Sequence, residues 1–358
     1  MHLNEYQMYK KQTNAHNTYL CFMISQQLGQ LAQWLASPAK IIIIPHKNPD
    51  GDAMGSSLGW QNILKQMGHE VVVVAPNAYP TFLHWLPGHE CVLYFDKNTD
   101  QAVNLIANAD LIFTLDFNTL ARIGVMGEHV AQSKAKKIMI DHHQEPEDYA
   151  DLSFSKPTIS STCELVYELI EALDLKAKIN KDIASCLYTG MLTDTGSFRF
   201  ASVTEDTHRA VAHLLSTGIK HHEIHERILG NKRPERLKLL GVALGNMVIV
   251  PDKKTAYITL SQEELDSCDY QKGDSEGLVN YALSVAGVSI AVLMMEHREE
   301  EIIKLSFRSK GDLAVNQFAK QHFDGGGHIN AAGGKSLRSL KETERYFLKA
   351  LDAFFSSL

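Results

Sequence analysis

The chain is poor in cysteine and spaces what it has badly for cross-linking or zinc. Its 358 residues hold five, Cys21, Cys91, Cys163, Cys186 and Cys268. An odd number with no C-x-x-C pair points to free thiols in a reducing compartment, not to a disulfide scaffold or a thiolate zinc site. Long apolar runs are missing as well. Nothing approaches the roughly 18 apolar residues of a membrane helix. The short apolar stretch at 19–24 follows a polar start and precedes no small-residue cleavage pattern, so no secretory leader is expected. Positive charge is in deficit: 35 Lys and Arg against 42 Asp and Glu give a formal charge of −7. That sign disfavours a protein that coats long nucleic acid, because such binding rests on neutralising many phosphates, though it leaves room for a small basic pocket. A cytoplasmic protein with no membrane partner is expected.

What is present is core. Hydrophobic residues make up 44% and charged residues 22%, which excludes wholesale disorder and suits about two domains. The first half alternates β-branched runs at 41–44, 71–74, 111–115 and 137–140 with helical patterns at 54–67 and 119–131. That alternation predicts an α/β domain, a parallel sheet with helices on both faces. Helices are expected at 164–173, 181–192 and 204–215, and Gly230 suits the end of a further one. The polar segment 231–236 reads as the interdomain linker. Beyond it a smaller α+β domain is expected, with strands near 247–250, 255–259, 289–295 and 302–307 and helices at 315–322 and 340–354. The resulting division is an N-terminal extension 1–24, an α/β domain 25–215, a helical linker 216–238 and an α+β domain 239–358, with a cleft between the two domains.

Parallel sheets bind ligands beyond the carboxyl ends of their strands. His46, Asp50 and Asp52 follow the first strand, Asp116 the third, and Asp141, His142 and His143 the fourth; Asp194 follows a helical segment. Taken singly these are turn, cap or solvated residues. Taken together, Asp50, Asp52, Asp116 and Asp194 would place about four negative charges in one cleft, and like charges a few ångströms apart resist joint ionisation. Two divalent cations would balance them. A two-metal site suits displacement at phosphorus, and mixed His/Asp ligation suits Mn²⁺ better than Mg²⁺. In the second half, three glycines at Gly325, Gly326 and Gly327 would let a backbone approach a ligand and form an anion-binding nest, with His328 as a donor. Arg308 could add a bidentate phosphate contact. No aromatic platform for successive bases is evident as a motif.

These residues carry a pattern. The chain resembles the DHH phosphoesterase superfamily, named for the run seen here as Asp141-His142-His143. The other three N-terminal motifs are His46-x-x-x-Asp50-x-Asp52, Asp116 and Asp194. The run from Gly325 through His328 to Ala331-Ala332-Gly333 is similar to the signature of the DHH-associated C-terminal domain. The resemblance implies one metal held by His46, Asp50 and Asp116 and another by Asp52, Asp116, His142 and Asp194, with Asp116 bridging. It further implies that Asp141 orients its neighbours, that His143 faces the phosphate and that a hydroxide lies between the ions. Most similar is the NrnA-like branch, bifunctional enzymes that degrade oligoribonucleotides of two to about five nucleotides and dephosphorylate pAp (adenosine 3′,5′-bisphosphate). A cyclic-di-AMP or pApA phosphodiesterase is the alternative. The manganese pyrophosphatases and exopolyphosphatases share the N-terminal motifs but lack the glycine signature. A RecJ-like exonuclease is disfavoured by charge, and a non-catalytic binding protein by the full ligand set. The implied partner is a short RNA or nucleotide; a homodimer is a possible assembly.

Overall fold

The computed structural model describes residues 26–230 and 232–356; the N-terminal extension 1–24, with Cys21, lies outside the described residues. The chain divides into two compact units, one ending at Gly230 and the other following it.

In the first unit a helix at residues 26–34 (α1) precedes β1 (Lys40–Pro45), α2 (Gly51–Gln66), β2 (Glu70–Ala75), β3 (Leu93–Tyr94) and α3 (Thr99–Ala107). There follow β4 (Leu111–Leu115), α4 (Met126–Gln132), β5 (Lys136–Asp141), β6 (Leu152–Ser155), α5 (Thr162–Ala172), α6 (Lys181–Asp194), α7 (Glu205–Ser216) and α8 (His221–His225). All six strands are parallel, in the order β3-β2-β1-β4-β5-β6. The isoleucines of β1 show why the strands read as continuous apolar runs. Ile41 and Ile43 join the core shared with Met54, Val166 and Leu187, whereas Ile42 and Ile44 join a second core with Ala102, Ile106 and Val130 on the opposite face. Both faces are covered by helices, which is the expected α/β architecture. The chain order reverses between β1 and β4, and a crevice opens beyond the strand ends at such a switch point.

Helix α2 begins at that crevice and α6 ends there. The two run antiparallel and touch backbone to backbone. A Cβ on Gly55 would sit 2.5 Å from the Cys186 carbonyl oxygen, and one on Gly190 would sit 2.1 Å from Cys163 Sγ and 2.7 Å from Asp52 Oδ1. Glycine is required at both positions, and the close approach draws Asp52 and Asp194 together.

The helix expected across 119–131 is broken. A 3₁₀ turn at Leu120–Ile123 ends at Gly124, whose φ of 60° is left-handed, and α4 starts anew. Strands β3 and β6 were not anticipated; each is a short edge strand of at most four residues. The 231–236 segment is only partly a linker, because Pro234 occupies the first turn of a helix, where its missing N–H costs nothing.

The second unit comprises α9 (Pro234–Gly245), β7 (Val248–Val250), β8 (Thr255–Leu260), α10 (Gln262–Ser267), α11 (Leu278–Leu283), β9 (Ile290–His297) and β10 (Ile302–Ser309). It closes with α12 (Val315–His322), β11 (Gly326–His328), β12 (Ala331–Ser336) and α13 (Leu340–Ser356). Its sheet runs β11-β12-β10-β9-β8-β7, antiparallel except for β8 beside β9. Strand β10 alternates strictly. Ile303, Leu305 and Phe307 are buried against Phe318 and Phe347, and Lys304, Ser306 and Arg308 lie on the other, half-buried face.

Among the described residues no helix is long and apolar enough to cross a membrane. Cys91, Cys163, Cys186 and Cys268 are free thiols.

Candidate metal centre

Three strand ends and two helix ends meet at the switch point. After β1 the chain turns through Asn48, held at a φ of 59°, and reaches Asp50, the N-cap of α2. Oδ1 of Asp50 accepts the Asp52 and Ala53 amides at 3.0 and 3.1 Å, so a single carboxylate both caps a helix and faces the crevice with Oδ2, 3.8 Å from His46 Nε2. Asp116 follows β4 at a φ of 66°, a left-handed conformation that Asp tolerates better than bulkier residues. Its Oδ2 lies 3.5 Å from His46 Nε2 and its Oδ1 3.6 Å from His142 Nε2.

The histidine tautomers follow from their partners. His46 Nδ1 lies 2.9 Å from the Lys47 carbonyl and His142 Nδ1 3.4 Å from the Ile159 carbonyl. A carbonyl can only accept, so each Nδ1 donates and each Nε2 is the atom left facing the carboxylates, the orientation a metal-binding imidazole needs. His142 Nε2 is 3.8 Å from Asp52 Oδ2 and 3.4 Å from Asp194 Oδ2. Asp141, fully buried, takes the His143 amide on Oδ2 at 3.0 Å and His143 Nδ1 on Oδ1 at 2.7 Å.

The sequence-derived residues therefore converge. Donor atoms of His46, Asp50 and Asp116 lie within 4.8 Å of one another, as do those of Asp52, Asp116 and His142, and Asp194 flanks the second group. Asp116 belongs to both.

Electrostatics identify what such a pocket can hold. Burial opposes charge on His46, but hydrogen bonds and ion pairing with Asp116 and Asp50 outweigh it and push its pKa up to about 10. For His142 burial is likewise outweighed, by Asp194, Asp116 and Asp52, and its pKa rises to about 9. Burial also works upward on Asp116, yet His46, His143 and His142 hold it well below the usual carboxylate range. Asp52 moves the other way, raised by burial and then by the nearby charges of Asp116 and Asp194. A buried group of carboxylates that draws protons onto its histidines this strongly fits divalent cations, which would take the place of those protons. The nitrogen and oxygen donor set fits them too.

Sequence reasoning missed the residues that hold the carboxylates. The amides of Thr162 and Cys163, in the first turn of α5, donate to Asp52 Oδ2 and Oδ1 at 2.7 and 2.9 Å. The Thr162 hydroxyl donates to Asp116 Oδ1 at 2.9 Å. Asn77, beyond β2, exchanges two hydrogen bonds with Asn48: it accepts the amide at 2.8 Å and donates Nδ2 to Asn48 Oδ1 at 2.9 Å. Only the S-x-x-E capping pattern at Ser161 marked this region in the sequence.

In the second unit the glycine run is not a nest. Gly326–His328 form the edge strand β11, and the Gly325 amide donates to the Ala319 carbonyl at 3.2 Å. Glycine at 325 and 327 is demanded by β12, since a Cβ would lie 2.1 Å from the Gly333 carbonyl oxygen in one case and 2.6 Å from that of Ala331 in the other. The sheet does bring the expected side chains into one row. Arg308 pairs with Ala331, and Ala331 with His328. Directly opposed residues share a face, so Arg308 and His328 flank a small alanine about 10 Å apart.

This fold and ligand set have known relatives. Residues 40–191 match the DHH family, N-terminal domain, and residues 254–357 match the DHHA1 domain. The chain belongs to the DHH family, whose phosphoesterases use divalent metals. It is 33% identical over 307 residues to the bifunctional oligoribonuclease and PAP phosphatase NrnA of Thermus thermophilus, 86% of each chain being covered. A crystal structure of an exopolyphosphatase-related protein from Bacteroides fragilis is 41% identical, with a TM-score of 0.88, covering 92% of this chain and 96% of that one. The cyclic-di-AMP phosphodiesterase GdpP of Geobacillus thermodenitrificans is 26% identical over 93% of this chain and 50% of its own.

Proposed function

We propose that the protein is a metal-dependent phosphoesterase that hydrolyses oligoribonucleotides of two to about five nucleotides and removes the 3′-phosphate of pAp. The observation that carries this reading is the pair of ligand groups sharing Asp116. His46, Asp50 and Asp116 would hold one divalent ion, and Asp52, Asp116, His142 and Asp194 the other, with Mn²⁺ the ion that best suits mixed imidazole and carboxylate donors. When bound, such a pair acidifies water and clamps the attacking and leaving oxygens of an in-line displacement. The chain's own groups do the rest. Lys47 and Ile159 carbonyls fix the ligand tautomers, and Asp141 holds His143 by Nδ1, so that its Nε2 is the atom offered to a phosphate oxygen. Arg308 and His328 would grip a terminal phosphate through charge-assisted hydrogen bonds. The kinship with NrnA enzymes over most of both chains supports this substrate class; the match to GdpP supports a second reading, a cyclic-di-AMP or pApA phosphodiesterase. The charge of −7 suits short substrates, and the free thiols suit a reducing, cytoplasmic compartment.

The test is a panel of pAp, a 5′-phosphorylated dinucleotide, an RNA of about twenty nucleotides, cyclic-di-AMP and pyrophosphate, after chelation and after Mn²⁺ or Mg²⁺ is restored at two salt concentrations. Chelation should abolish activity, Mn²⁺ should restore more than Mg²⁺, and pAp and the dinucleotide should be the best substrates. A faster long RNA with a steep salt slope, or activity on pyrophosphate alone, would overturn the reading.

A further inference from the structure

Asp194 closes α6, and the backbone then does something uncommon. Gly196, Ser197 and Phe198 take φ values of 57°, 66° and 63°, three left-handed residues in succession, two of them with side chains that disfavour this region. The turn is tied down by one buried residue. The Thr195 hydroxyl accepts the Phe198 amide at 2.8 Å, the Thr195 carbonyl accepts the Arg199 and Phe200 amides at 3.1 and 3.2 Å, and the Ser197 amide returns to the Leu192 carbonyl at 2.8 Å.

The two phenylalanines that emerge from this turn have opposite fates. Phe198 packs inward, its ring 5.7 Å from Tyr188 and 6.1 Å from His208, at the edge of the core around α6. Phe200 stays outside that core and is 38% exposed. It lies over Gly196, where a Cβ would come within 2.5 Å of its Cζ, and the Arg199 guanidinium is 5.6 Å from its ring centre. Gly196 is two residues from Asp194, at most about 7.6 Å between Cα atoms. An aromatic ring seated on Gly196, with a cation beside it, thus follows directly on the helix end that carries the candidate ligand Asp194.

We infer that Phe200 is a stacking surface for the base of the nucleotide attached to the reacting phosphate, and that Arg199 faces that nucleotide's other phosphate. This rests on the phosphoesterase reading and deepens it. A ring accepts any base, so the site would select nucleotides over base-free phosphate esters without choosing among sequences.

The experiment compares wild type, Phe200→Ala and Phe200→Trp on a 5′-phosphorylated dinucleotide and on its analogue lacking the base beside the cleaved phosphate. A dinucleotide carrying 2-aminopurine at that position reports stacking through its fluorescence. The alanine variant should raise KM for the dinucleotide by about five- to a hundredfold, lower the ratio of kcat/KM between dinucleotide and analogue to match, and relieve the 2-aminopurine quenching. The tryptophan variant should restore all three, and thermal unfolding of the variants should match wild type. An unchanged ratio with unchanged quenching in Phe200→Ala would overturn the stacking assignment. Wild-type protein that cleaves neither substrate with metal supplied would instead overturn the phosphoesterase reading.

Discussion

Gly190→Ala tests whether the seam between α2 and α6 sets the geometry of the metal centre. The added methyl would begin 2.1 Å from Cys163 Sγ, 2.7 Å from Asp52 Oδ1 and 3.0 Å from Asp52 Cα. Carbon contacts become comfortable near ~3.5 Å, so the sulfur alone must retreat by roughly 1.4 Å, and Asp52 by somewhat less. Cys163 and Asp52 are both fully buried, and neither can swing into solvent. Overpacking of this kind costs about 1–3 kcal/mol. A unit of this size loses about 2–4 °C of Tm per kcal/mol, so Tm should fall by roughly 2–12 °C. Because Asp52 moves, Mn²⁺ affinity should fall by about ten- to a hundredfold, as happens when the surroundings of a ligand are disturbed. Thermal unfolding and Mn²⁺ titration calorimetry read the two effects separately. Adding Cys163→Ala removes the worst contact and leaves the one with Asp52, so the double variant should regain most of the Tm and only part of the affinity, a coupling that a thermodynamic cycle measures. A Gly190→Ala protein with wild-type Tm and wild-type Mn²⁺ affinity would refute the argument.

Two further outcomes are expected. Asp116→Asn should abolish hydrolysis in a protein whose circular dichroism is unchanged, since both ligand groups lose a carboxylate at once; turnover within about threefold of wild type would contradict the shared role. Arg308→Ala and His328→Ala should leave metal stoichiometry intact while kcat/KM falls by about ten- to a hundredfold, the worth of a charge-assisted hydrogen bond, and metal loss measured in either variant would contradict that division of labour.

The parts legible from sequence are those written in contiguous residues. The β1 run Ile41–Ile44 declared a strand buried on both faces, and the acids and histidines placed after β1, β4 and β5 pointed to the switch point. The His46, Asp50, Asp52, Asp116, His142 and Asp194 side chains, scattered along the sequence, lie together in space. Contacts that depend on distant segments were not legible. Thr162 reaches Asp52 across 110 positions, and nothing around it distinguishes its amide from that of any other helix start. Local conformation also defeated pattern. A regular apolar spacing across 119–131 hid the left-handed Gly124 that splits it. The small residues of Ala331–Ser336 carry no apolar alternation, so β12 and its partner β11 were invisible until β10 supplied their register. Phe200 had no signal at all, because a lone aromatic is ordinary until its backbone is seen to be fixed.

The hold on Asp52 has a consequence for how the centre is supplied. Both oxygens of this carboxylate rest on main-chain amides at the positive end of α5, where the helix itself favours an anion. Those bonds join α2 to α5, and only the backbone donates in them. Zinc fingers are unfolded until their ion arrives; a carboxylate seated on backbone amides in this way would keep its place when an ion is taken out.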